Sequence, residues 1–72
     1  MIITDRVHLV STESEAELHE FTQRIGLKLR WFQCGRHPHY DITTRNAYLK
    51  ARAAGALLVT NVELFKDAWW AK

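Results

Sequence analysis

β-branched and other apolar residues dominate "IITDRVHLV", which places a first strand within residues 2 to 10, with an interruption near Asp5 and Arg6. The following "STESEAELHEFTQRIG" changes period. Leu18, Phe21 and Ile25 form a helical stripe, Thr12 and Glu15 have capping-box spacing, and Gly26 suits the left-handed position that ends a helix. In "LKLRWFQ", Leu27, Leu29 and Trp31 alternate with Lys28, Arg30 and Phe32, which predicts a second strand, and a loop from Cys34 to about Asp41 follows. "ITTRNAYLKARAAG" predicts a second helix capped by Thr43 or Thr44 and closed by Gly55, with Tyr48, Ala51 and Ala54 free to face a sheet. "ALLVT" has the unbroken apolar character of a buried parallel strand. Thr60 and Glu63 repeat the capping-box spacing before a last helix whose Val62, Phe65 and Trp69 point inward.

These elements alternate. The expected fold is α/β: one domain over residues 1–72 with a small three-stranded, mainly parallel sheet in β-α-β-α-β-α order and helices on both faces. Such sheets bind ligands beyond the carboxyl ends of their strands. That rim would comprise Ser11 and Thr12, the Cys34 to Asp41 loop, and Thr60 with Asn61.

A hydrophobic share of 47% with three tryptophans excludes disorder, although 72 residues support only a modest core. Cys34 is the single cysteine, which precludes an internal disulfide and fits a reducing, cytoplasmic setting. No apolar run approaches the roughly twenty residues that span a bilayer, and no export signal is expected at the start. The net charge of +2 hides an uneven distribution. Arg24, Lys28, Arg30, Arg36, Arg45, Lys50 and Arg52 surround Asp41 alone, whereas Glu13, Glu15, Glu17 and Glu20 gather in the first helix. A basic middle suits a ligand bearing phosphate, and solvated faces are the plainer alternative.

Most of the candidate chemistry lies in "GRHPHYDI", residues 35 to 42. His39 and Asp41 are the candidate catalytic pair, for proton transfer near neutral pH, and Arg36 and Arg45 are candidate phosphate contacts. Tyr40 is a candidate stacking platform for a base, and Trp31 is either that or core. His37, His39 and Asp41 also alternate as a two-histidine, one-carboxylate metal site would, with His8 or His19 as a further ligand. The preferred reading needs no metal and no cofactor. Trp70, beside an inward Trp69, suggests a homodimer contact.

The chain also resembles a family of small phage and bacterial proteins, domain of unknown function forty thirty-one. The resemblance rests on Asp5, His8 with Leu9, "ELH" at Glu17 to His19, "WFQ" at Trp31 to Gln33, "HYD" at His39 to Asp41, Arg45, and Gly55 with Ala56. Relatives usually carry a longer segment between the first aspartate and the "HL" step, and an acid soon after it where Thr12 stands here. The family has no assigned reaction. The resemblance implies a phage or prophage origin and a polar cluster of His8, His19, His39, Tyr40, Asp41 and Arg45. The expected function is therefore nucleotide or nucleic-acid phosphate binding by a phage-type accessory protein, at His8, His19, Arg36, His37, Tyr40 and Arg45. A module that blocks a host protein and a metal-dependent hydrolase are the alternatives.

Overall fold

The apolar run that opens the chain is folded in two by its own aspartate. In the computed structural model, which describes residues 1–72, β1 (Ile2–Thr4) and β2 (His8–Ser11) pair antiparallel. Asp5 Oδ1 accepts the backbone N–H groups of Val7 (3.0 Å) and His8 (2.7 Å), the local bonding that makes aspartate a turn residue. Arg6 takes the left-handed conformation, φ 84°, at the tip.

Helix α1 (Glu15–Arg24) starts at Ser14, whose hydroxyl accepts from the Glu17 N–H, and Thr12 is buried instead of capping it. The segment expected as a second strand forms a single 3-10 turn over Leu29–Trp31, and only β3 (Phe32–Gln33) pairs. Alternation in "LKLRWFQ" does not reflect burial: Leu29 is 55% and Trp31 44% exposed. The supposed loop contains a strand, β4 (His39–Asp41), with buried Tyr40 between two more exposed neighbours. Helix α2 (Arg45–Ala53) is capped by Thr44, β5 (Leu57–Leu58) follows, and α3 (Asn61–Asp67) has both hydrogen bonds of the Thr60–Glu63 capping box. A 3-10 turn, Trp69–Ala71, follows α3.

The strand order is β3-β4-β2-β1-β5. Only the β1–β5 pair is parallel, so the expected three-stranded, mainly parallel sheet in β-α-β-α-β-α order is replaced by a five-stranded mixed sheet, mostly antiparallel, with three helices. Two hidden turns explain the difference: the Asp5 hairpin makes two strands of one, and "HYD" adds a strand without an intervening helix. β5 is parallel, as expected from "ALLVT", but it lies at an edge with both leucines exposed instead of buried. Val62 and Ala54 are also exposed, and Leu64 and Ala68 are the fully buried residues near the C-terminus.

Strand alternation divides the side chains between two faces. Leu9 and Tyr40 are opposite each other on the first, where they pack with Ile2, Leu18, Phe21, Ala51 and Ala56 beneath α1 and α2. Ile3 and Val10 lie on the second, covered by Leu64 and Ala68. His8 is opposite Asp41 and His39 is opposite Gln33 in the register, so these four share the second face. The core cluster on that face is built on β1 and β2, and the polar set extends toward β4 and β3. No helix is long and apolar enough to cross a membrane.

Candidate functional site

The aspartate that forms the hairpin also fixes a histidine. Asp5 Oδ2 lies 2.9 Å from His8 Nδ1 and accepts from Asn61 Nδ2 at 2.7 Å. Burial pushes the Asp5 carboxyl up, but bonds from the His8 ring, Asn61 and the His8 and Val7 amides outweigh it and lower the pKa from 3.8 to about 2. The ionised carboxylate can only accept, so Nδ1 of His8 must carry the proton. In neutral His8 the lone pair is therefore on Nε2.

His39 Nδ1 is 2.6 Å from the His37 carbonyl oxygen, and Nε2 is 2.9 Å from Asp41 Oδ1. Both partners are acceptors, and a neutral imidazole has one N–H. A neutral ring can donate to only one of them, and a second proton or a metal ion at the other nitrogen would satisfy the remaining contact. His8 closes the group. One ligand atom each from His8, His39 and Asp41 lie within 4.8 Å of one another, and all three residues are half-buried. Two imidazoles and a carboxylate on one side of a shared centre suit a divalent transition metal, and Asp5 supplies the carboxylate that commonly orients such a histidine.

Aromatic rings border this group. The His8 ring centroid is 5.0 Å from that of His39 and 5.5 Å from Phe65, and His37 packs against Phe65 and Trp70. Trp70 is half-buried and donates its indole N–H to the Pro38 carbonyl at 2.8 Å, which fastens the loop to the C-terminus.

The sequence candidates separate into distinct places. His8, His39 and Asp41 come together, and His37 contributes its carbonyl and a flanking ring instead of joining the triad. His19 and Tyr40 belong to the opposite face. His19 Nδ1 accepts from the Tyr40 hydroxyl at 2.7 Å, and Nε2 donates to Glu15 at 3.1 Å. Tyr40 has no exposed surface, so it cannot stack on a base. Arg36 and Arg45 are exposed and take part in no salt bridge. Glu17 of "ELH" binds the terminal ammonium at 2.7 Å and the Ser11 hydroxyl, contacts that hold its carboxyl below the usual range. The sequence reading placed Asn61 on the expected ligand rim without a named role, and gave Asp5 no site role. Asp5 was detectable as an aspartate three residues before a histidine, whereas Asn61 approaches only through the fold.

The low pKa of Asp5 has a consequence for stability. The folded state releases this proton more readily than the unfolded chain, so the contribution is complete above the unfolded value and is lost as pH falls through 3.8 toward about 2. Its size is about 2 kcal/mol. Urea unfolding of the metal-free protein should therefore show wild type losing about 2 kcal/mol more than Asp5→Ala between pH 5 and pH 2. Equal losses would contradict the assigned interactions.

No curated protein and no solved structure matches the chain. Residues 4–69 match the family model described as protein of unknown function (DUF4031), and the chain belongs to that family.

Proposed function

We propose that the chain is a metal-dependent hydrolase that binds one divalent ion through His8, His39 and Asp41. The observation that carries this reading is the convergence of the two imidazoles and one carboxylate, with a contact at His39 that a neutral ring cannot satisfy alone. This reading departs from the metal-free preference of the sequence and uses His8 where the alternation suggested His37. Three protein ligands on an incompletely covered face favour catalysis, because structural sites usually close with four ligands and catalytic sites leave a position for water or substrate. A bound ion would supply Lewis acidity and make a coordinated water easier to deprotonate. Asp5 holds His8 in the metal-binding tautomer, and the His37 carbonyl does the same for His39.

Calorimetry of chelator-stripped protein with zinc, manganese, nickel and cobalt should show one ion per chain and no binding after His39→Ala. Free metal at about 100 times Kd should raise the melting temperature by about 10 °C or more. Loaded protein should hydrolyse a chromogenic phosphoester, and chelator should stop it. Absence of binding by all four ions overturns the metal centre; binding without hydrolysis of phosphomonoesters or phosphodiesters overturns the hydrolase reading.

A further inference from the structure

Asp41 belongs to the metal-binding group and also lines a cavity of about 380 Å³ shared with Leu27, Arg30, Trp31, Gln33 and Thr43. The cavity therefore shares one residue, Asp41, with the proposed metal group. Gln33 is paired with His39 and shares its face, whereas Leu27 packs against the core cluster of the opposite face, so the cavity lies at the β3 edge of the sheet. Its residues offer three kinds of contact. Arg30 is exposed and in no salt bridge, so its guanidinium is free to bind an anion. Trp31 is 44% exposed, and Lys28 Nζ lies 6.0 Å from its ring centroid, placing a second cation nearby. Gln33 and Thr43 add hydrogen-bonding groups at the wall.

Resting on the metal reading, we infer that this cavity holds one nucleoside monophosphate unit. Its phosphate lies between Arg30 and the ion beside Asp41, and its base stacks on Trp31. The volume is near the lower end of the roughly 300–1,000 Å³ usual for small-molecule sites, which suits one nucleotide unit. Inorganic phosphate would leave Trp31 and Leu27 unused, and a nucleoside would leave Arg30 and the ion unused. Charge favours the same ligand, since Arg30, Lys28 and a divalent ion outweigh Asp41 and match a phosphate dianion. The exposed Trp31 supplies the stacking surface that buried Tyr40 cannot.

The test is calorimetric titration of manganese-loaded and chelator-stripped protein with AMP, GMP, CMP and UMP, with adenosine and inorganic phosphate as partial ligands. A 5′-phosphorylated dinucleotide distinguishes a free nucleotide from the end of a strand; binding of either supports the inference. At least one complete ligand should bind the loaded protein about tenfold or more tightly than adenosine or phosphate. Arg30→Ala and Trp31→Ala should each weaken that binding about tenfold with manganese affinity unchanged, which also shows that the variants are folded. Manganese binding without nucleotide preference overturns this inference and leaves the metal centre standing. Where manganese fails to bind, the titration is run with whichever of zinc, nickel and cobalt binds; failure of all four overturns the metal centre, and nucleotide binding that still depends on Arg30 and Trp31 would then preserve the cavity assignment, while its absence would overturn both.

Discussion

Asp5→Ala is expected to destabilise the metal-free protein by about 3 kcal/mol and to weaken divalent-metal binding about 10- to 100-fold. Four donors converge on this carboxylate: the Val7 and His8 amides, the His8 ring and Asn61. Truncation leaves them without their acceptor and removes the bonds that hold the hairpin closed. A domain of this size has about 5 kcal/mol of total stability, so the variant should unfold at much lower urea. Asp5→Asn separates the two roles. Its amide oxygen can still accept from the Val7 and His8 amides, but its NH₂ group then faces His8 Nδ1. To make that contact, His8 must accept at Nδ1 and carry its proton on Nε2, which withdraws the lone pair needed by the ion. The asparagine variant should therefore lose metal affinity within the same 10- to 100-fold range while losing about 1 kcal/mol of stability. Wild-type metal affinity in Asp5→Asn would exclude His8 Nε2 as a ligand.

The sequence was most informative where helix ends depend on local chemistry. The Thr60–Glu63 box, Thr44 as a cap, and the left-handed glycines at 26 and 55 are all present. These features act within one helical turn, so neighbouring residues suffice to specify them. The strands depended on partners that sequence spacing does not reveal. Between Thr4 and His8 no glycine or asparagine marks the turn, because Asp5 bonds across it and Arg6 tolerates a positive φ. In "HYD", polar, aromatic and polar residues alternate as on a half-buried strand, but two histidines and a proline made the stretch resemble a loop. Missing these features changed a mostly antiparallel sheet into a parallel one.

The proposed metal group shows the same limit. Alternation correctly placed His39 and Asp41 together, and added His37 because it assumed that the extended conformation continued past Pro38. His8 joins them through the β2–β4 register, which pairs it with Asp41 across thirty-three positions of chain. Residues of the family-like motifs consequently serve different purposes. His8, His39 and Asp41 form the proposed metal group, whereas Leu18, His19, Phe32 and Tyr40 build or line the opposite core.

Tyr40→Ala is expected to destabilise the protein by about 3–5 kcal/mol, enough to unfold much of the population at 25 °C. The side chain has no exposed surface and packs among Leu9, Leu18 and Phe21, so truncation leaves a cavity in the larger core cluster. Tyr40→Phe keeps the ring and removes the hydroxyl that donates to His19. It should cost about 1 kcal/mol, and His19→Ala a similar amount, while the double variant should lose less than their sum because both delete the same bond. Additive losses would show that the bond contributes nothing. Metal titration distinguishes the two sets of histidines. Tyr40→Phe and His19→Ala should bind the ion as wild type does, since their bond lies across the sheet from His8, His39 and Asp41, whereas His39→Ala should bind none. Loss of metal binding in folded His19→Ala would instead tie the ion to the covered face and remove the division of labour between the two sides of the sheet.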